Sequence, residues 1–376
     1  MDVRDFDFDL PPELIAQEPP VSRGSARLLH LGRDSGPIAH THVSALPDLL
    51  RAGDLVVVNN TRVFPARLLG RRVASRGAVE CLLIRSLPGV DQVAIGSVAD
   101  SDGVRPPSDP GPDPRLTPAL WEALVHPGQK LKPGARVVFE GIRTIHGEIL
   151  ERRFFGRRII RLWTEDGSPV DDAVDAIGHM PLPPYITRDD RADDRDRYQT
   201  VFAHARGSIA APTAGLHFSP PLMMALAVRG VEIAELTLHV GYGTFQPIRV
   251  DRVEDHRLEA ERYQIGAPAA AAITRARAEG RRVIAVGTTT TRTLEAVARK
   301  HGGSIVAGTG DTDLFLYPGA EFRIVDGLLT NFHLPQSSLL MLVSAFAGRE
   351  RVRSAYEAAI AERYRFYSYG DAMLIL

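Results

Sequence analysis

Of 376 residues only one, Cys81, is cysteine. That excludes an internal disulfide and any zinc or iron–sulfur site built on several thiolates. Cys81 lies in the strand-like run VECLLIR and reads as a small buried apolar residue. Long apolar runs are missing too. The longest, LLMLVSAFA at 339–347, is too short to cross a bilayer. The start, MDVRDFDFDLPPELIAQEP, is acidic and has no apolar core of the kind a secretory signal needs. The chain shows no HExxH, EF-hand loop, Walker pattern, dinucleotide fingerprint or GxSxG elbow. His40 and His42 are spaced for a metal but lack a third ligand nearby. No metal is expected. A soluble, cytoplasmic protein is the simple reading, and a monomer is expected because no obligate protein partner is evident.

The formal net charge is only −1, with 44% hydrophobic and 24% charged residues, so the total says little about partners. Its distribution says more. Residues 62–161 hold 17 Lys+Arg against 10 Asp+Glu, a balance of +7, while the remainder holds 28 against 36, a balance of −8. In the same region short alternating runs (ARLLGRRV, VECLLIRS, ARVVFEGI, HGEILERRF, RRIIRLWT) are separated by Gly, Pro and Asp. This spacing predicts a small antiparallel β-barrel. Residues 88–117, rich in Pro, Gly, Asp and Ser, read as a flexible loop insertion. The arginine clusters, Arg71 with Arg72 and Arg152, Arg153, Arg157, Arg158 and Arg161, suit a phosphate backbone or a solvated barrel surface.

On either side the texture is α/β. DLVVVNN, VEIAELTLHV and RRVIAVG read as strands; PPLMMALAVRG and TRTLEAVARKHG read as helices. The expected fold is therefore an α/β body, 1–66 with 162–376, into which a small antiparallel barrel, 67–161, is inserted. With 376 residues, two domains are in keeping with length.

Five stretches carry candidate chemistry. In VIAVGTTTTRTLE, Gly287 permits a tight turn and Thr288, Thr289, Thr290 and Thr291 follow at a helix start. Helix N-termini favour anions, so this is a carboxylate or phosphate site, or else one Thr is simply a cap. SIAAPTAGLHFSP crowds Ala210, Ala211, Ala214 and Gly215 around Thr213 and His217, too small for a core strand and too uncharged for a surface loop. His217 and His239 fall at the ends of strand-like pieces flanking one helix, where open sheets place ligands. Asn331 and His333 precede an apolar helix that Ser337 or Ser338 can cap, and His333 read alone is equally a structural histidine. The terminal YRFYSYGDAMLIL interleaves arginines with aromatics; packing accounts less readily for Tyr369 and Asp371 than for AMLIL.

Taken together, DFDFDLPPELIAQEP, GDLVVVNNTRVFPARLLG, WEALVHPGQKLKPG, GHMPLPPYI, RYQTVFA, AAPTAGLHF, TLHVGYGTF, VGTTTTRTLE, TDLFLYPG, LLTNFHLPQSSLLMLVSAFAG and YRFYSYGDAMLI occur in this order. They resemble the S-adenosylmethionine:tRNA ribosyltransferase-isomerases of queuosine biosynthesis, from about residue 5 to 375. Two features depart from that pattern: the 88–117 segment, and Glu259 in HRLEAERY where the family usually has a second histidine.

The resemblance implies transfer and isomerisation of the ribosyl part of S-adenosylmethionine onto 7-aminomethyl-7-deazaguanine at the tRNA wobble position. Epoxyqueuosine-tRNA, adenine and methionine result. S-adenosylmethionine is a co-substrate, tRNA is the partner, and no permanently bound cofactor is expected. Such chemistry needs a base for the acidified 5′ hydrogens, an acid near the departing adenine, and a cationic surface for a flipped tRNA nucleotide. On this footing His217 is the expected general base or acid and His239 its rival. Asn60, Arg62 and His333 are expected at adenine or ribose. Thr288, Thr289 and Arg292 are expected at the methionine carboxylate, and Thr213, Tyr369 and Asp371 at the substrate base. Arg71, Arg72, Arg152, Arg153, Arg157 and Arg158 are expected at the tRNA backbone. Two other readings stay open: an S-adenosylmethionine-dependent RNA methyltransferase, which VGTTTTRTLE matches poorly, and a non-catalytic tRNA-binding protein.

Overall fold

The structure, a computed structural model, describes residues 1–87, 118–245 and 248–376. The insertion expected at 88–117 lies outside the described residues. The chain divides into two compact units, Met1–Val63 with Leu182–Leu376, and Phe64–Pro181.

The first unit is built on a nine-stranded sheet in the order Gly308–Thr312, Glu261–Ile265, Glu232–Leu238, Leu55–Asn59, Val283–Val286, Gly327–Asn331, Ala372–Ile375, Arg27–Leu31, Ile38–His42. The four strands from Glu232–Leu238 to Gly327–Asn331 run parallel to one another. Successive side chains of a strand alternate between faces, and here both faces are covered. Leu55 and Val57 join one core with Val283, Ala285 and Leu328. Val56 and Val58 join the other with Ile284, Val286 and Leu329. The helices Ala267–Ala278, Thr288–Lys300, Ser338–Ala347 and Arg349–Ala361 supply the first core, through residues such as Ile273, Leu294, Met341 and Ala355. Pro220–Val228 supplies the second through Leu222 and Leu226. A strand buried on both sides reads as an unbroken apolar run, as LVVV does.

Local signals set the helix ends. Pro220 opens its helix behind Ser219, whose hydroxyl accepts from the Leu222 N–H at 3.3 Å. Ser337 caps Ser338–Ala347 in the same way, at 3.2 Å. The helix read from TRTLEAVARKHG begins earlier, at Thr288. The hydroxyls of Thr290, Thr291 and Thr293 bond back to the carbonyls four residues before them, so the threonines sit inside the helix rather than ahead of it.

The second unit is a closed, six-stranded antiparallel barrel in the order Arg157–Thr164, Ala119–His126, Ala78–Leu87, Arg67–Arg72, Arg136–Phe139, Ile145–Arg152. Leu68, Cys81, Leu83, Ala123, Val137, Ile149, Ile160 and Leu162 are buried. Burial pushes the Cys81 thiol up to about 12, which makes it an inert packing residue. Gly70 is required by close approach: a Cβ there would lie 2.2 Å from the Val138 carbonyl oxygen. Past the last strand, Val170–Ile177 packs on Ile145–Arg152 and Arg157–Thr164, which carries this unit beyond residue 161 to Pro181. The α/β body with an inserted antiparallel barrel is the architecture the sequence pattern predicts.

Candidate active site

The four parallel strands end together. Beyond Leu238 comes His239, beyond Asn59 comes Asn60, beyond Val286 comes Gly287, and Asn331 closes the fourth. Open α/β sheets bind ligands at such carboxyl ends. Gly287 holds φ +88° and is the N-cap of Thr288–Lys300, so the turn needs glycine and no side chain caps the first N–H groups. That leaves a helix N-terminus with its partial positive charge at a strand end.

A cavity of about 70 Å³ opens beside it, lined among others by Thr213, Ala214, Gly287, Thr288, Thr289, Asn331, His333, Tyr185, Tyr367 and Ser368. The small residues of the SIAAPTAGLHF segment, Ala210, Ala211 and Ala214, form part of its wall. They let backbone lie close to whatever occupies the space.

Polar groups line this cavity in a neutral form. His333 is buried; its ring Nε2 lies 2.8 Å from the Thr330 hydroxyl, and its backbone N–H donates to the Tyr356 hydroxyl at 2.9 Å. Burial pushes its imidazole down to about 3. The Asn331 amide donates to the Tyr367 carbonyl at 2.9 Å, and its side chain also meets the His217 imidazole. Tyr367 itself sits at φ +72°, a costly conformation for a residue with a side chain. The Tyr185 and Ser368 hydroxyls are 2.6 Å apart. His217 ends the turn Thr213–His217 that also carries Thr213 and Ala214. It is 4% exposed. Burial pushes it down to about 4, against the opposing pull of Asp371 and Asn331.

A family model described as queuosine biosynthesis protein matches residues 3–375. An S-adenosylmethionine:tRNA ribosyltransferase-isomerase of Desulfitobacterium hafniense is 47% identical over 376 residues, covering 100% of both chains. That of Geobacter sulfurreducens is 48% identical over 374 residues, covering 99% of both. The chain belongs to the queuosine-biosynthesis ribosyltransferase-isomerase family. It is an enzyme of the transferase and isomerase class. The crystal structure of the S-adenosylmethionine tRNA ribosyltransferase of Thermotoga maritima is similar over 99% of this chain and 100% of that one, with 35% identity and a TM-score of 0.52.

The residues expected from sequence in this ribosyltransferase-isomerase sort into three groups. Thr213, Thr288, Thr289 and His333 come together around the cavity. His217 lies on the same turn as Thr213 but does not line the cavity. His239 lies at the neighbouring strand end. Its Nδ1 is 2.8 Å from the Thr61 hydroxyl, and its pKa is lowered by burial.

The third group does not line the cavity. Arg292 is 4% exposed; it pairs with Glu261 at 2.6 Å and donates to the Leu314 carbonyl at 2.9 Å. Its charge is thus matched within the fold. Asn60 accepts from the Thr237 hydroxyl at 2.7 Å and donates to Glu235 at 3.1 Å. Arg62 is exposed on the short strand Thr61–Val63. Tyr369 donates to Asp194 at 2.9 Å, and Asp371 accepts from the N–H groups of Arg27 at 2.9 Å and Arg365 at 2.8 Å. Both act as internal ties, which is why packing of hydrocarbon alone did not explain them.

In the barrel unit, Arg71 pairs with Glu140, Arg153 with Glu151 and Arg157 with Glu122. Arg72 lies against Gly77 and Arg152 is exposed. Arg158 corrects the sequence reading: it is 2% exposed and donates to the carbonyls of Leu131, Arg157 and Gly128, so its guanidinium is out of reach of a backbone phosphate. Sequence reasoning missed Tyr185, Tyr367 and Ser368 in the cavity wall. Two of them stand in YSYG, where the aromatics drew attention to their neighbours instead.

Proposed function

We propose that this enzyme transfers and isomerises the ribosyl moiety of S-adenosylmethionine onto 7-aminomethyl-7-deazaguanine at the wobble position of tRNA, giving epoxyqueuosine-tRNA. The carbon–sulfur bond breaks and methionine leaves with its electron pair. The 5′ carbon and the precursor's amine each lose a proton. The glycosidic bond breaks and adenine leaves with its electron pair and one proton, the other proton being released. The amine forms a new carbon–nitrogen bond, and the isomerisation closes a new carbon–carbon bond at the 5′ carbon while the ring oxygen stays as the epoxide. The observation that carries this reading is the cavity at the parallel strand ends, where a helix N-terminus meets uncharged hydroxyl, amide and imidazole groups. The methionine carboxylate suits the N–H groups at Thr288 and Thr289. The adenine ring suits donors and acceptors without charge, which Asn331 and His333 provide. A volume of about 70 Å³ seats only a fragment of such a ligand. The whole molecule, needing roughly 300 Å³ or more, extends past the mouth.

His217 is the favoured proton carrier. It ends the turn that carries Thr213 and Ala214 into the cavity wall, and burial keeps its ring in the neutral form a proton acceptor needs, at some cost in basicity. His239 is the second candidate. The test is incubation with S-adenosylmethionine and tRNA bearing the deazaguanine precursor. Free adenine and methionine are expected. Release of S-adenosylhomocysteine would instead mark a methyltransferase, and tRNA binding with the co-substrate left intact a non-catalytic binder.

A further inference from the structure

We propose that the hairpin joining Ile145–Arg152 to Arg157–Thr164 is an RNA-docking finger, in which Phe154 stacks on an unpaired base while Arg152 and Arg153 hold flanking phosphates. Phe154 is 88% exposed. A phenylalanine left in water at a loop tip forgoes burial that a core position would provide. The loop that presents it is held by its own backbone. The Arg153 N–H donates to the Arg157 carbonyl at 2.9 Å, and the Arg157 N–H to the Phe154 carbonyl. Gly156 takes φ +82° to close the turn. Below the tip, Arg158 faces Arg152 in register.

The arginines divide by role. Arg157 is tied to Glu122 at 3.1 Å, and Arg158 is buried on carbonyls. They hold the base of the hairpin. Arg152 makes no ion pair among the described residues, and Arg153 meets only the exposed Glu151, an ion pair open to water and worth little. Among the described residues, the tip therefore offers the Phe154 ring beside exposed positive charges. Single-stranded nucleic acid is recognised this way, by base stacking on an aromatic ring with phosphates held alongside. This inference rests on tRNA being the substrate.

The experiment uses the full chain. Phe154→Ala should raise KM for tRNA about 10-fold, leaving kcat and KM for S-adenosylmethionine unchanged. Phe154→Trp should restore KM. Its emission should be quenched on titration with a tRNA transcript, the signal of the buried Trp121 and Trp163 being subtracted from wild type. Arg152→Gln with Arg153→Gln should flatten the salt dependence of tRNA binding by about 1.4 in log–log slope, roughly 0.7 for each phosphate no longer neutralised. A KM for Phe154→Ala within twofold of wild type overturns the proposal. So does equal quenching of Phe154→Trp by heparin, which has charge but no bases, or by anionic phosphatidylserine vesicles. Should wild type release no adenine, the proposed reaction fails, while quenching by tRNA still decides the finger.

Discussion

Lowering the pH from 8 to 5 should destabilise the α/β unit by about 4 kcal/mol through two histidines alone. Burial holds His217 down to about 4 and His333 down to about 3, from an ordinary value of 6.5. At pH 8 both imidazoles are neutral in folded and unfolded chain, and stability is complete. As pH falls through 6.5 the unfolded chain takes up protons that the folded chain refuses, so unfolding gains. At pH 5 each site costs about 2 kcal/mol, and that figure barely changes for any folded pKa at or below about 4. Folded domains are stable by only about 5–15 kcal/mol, so the effect is large. Urea unfolding at the two pH values measures it. Far-UV circular dichroism should be used, because Trp121 and Trp163 both lie in the barrel unit and fluorescence reports that unit alone. His333→Gln should remove about 2 kcal/mol of the difference between pH 8 and pH 5, whatever its own stability, and His217→Gln should do the same. An unchanged difference in either variant refutes the reasoning that these rings are held neutral by burial.

Three further outcomes are expected. His217→Asn should cut single-turnover adenine release by about 10²–10³-fold while S-adenosylmethionine still binds in calorimetry; near-normal release would remove His217 from proton transfer. In Gly207→Ala the new Cβ would lie 2.7–3.0 Å from the His239 ring, so the ring must leave its Thr61 contact; adenine release should fall about 10-fold, and an unaltered rate would mean that His239 placement is irrelevant. Glu295→Ala removes a fully buried carboxylate that accepts from the N–H groups of Arg323, Ile324 and Val325 and pairs with Arg299. The loss should be about 3–5 kcal/mol in urea unfolding of the α/β unit.

Much of the fold was legible because its signals are local. LVVV announces a strand buried on both faces, and Val56 and Val57 do enter opposite cores. Ser219 with two prolines, and Ser337, mark helix starts that the structure contains. The site was legible in part. Gly287 and the threonines after it carry a positional requirement in their own residue types, and SIAAPTAGLHF is conspicuous for small size without charge. Arg292, Asn60, Tyr369 and Asp371 were less transparent, since a polar residue near a candidate site looks the same whether it faces a ligand or another side chain.

What the sequence by itself determined is the set of elements, the two textures of α/β body and barrel, and the few stretches able to carry chemistry. Periods of two and 3.6 residues, turn glycines and caps are properties of neighbours along the chain. Only the tertiary structure decided which polar groups are taken. Arg292 meets Glu261, Tyr369 meets Asp194 and His239 meets Thr61, pairs separated by 31, 175 and 178 residues. Such pairings depend on the path of the chain through space, and burial then shifts the proton affinity of whatever remains enclosed. The neutral imidazoles of His217 and His333 come from that path, not from the residues beside them.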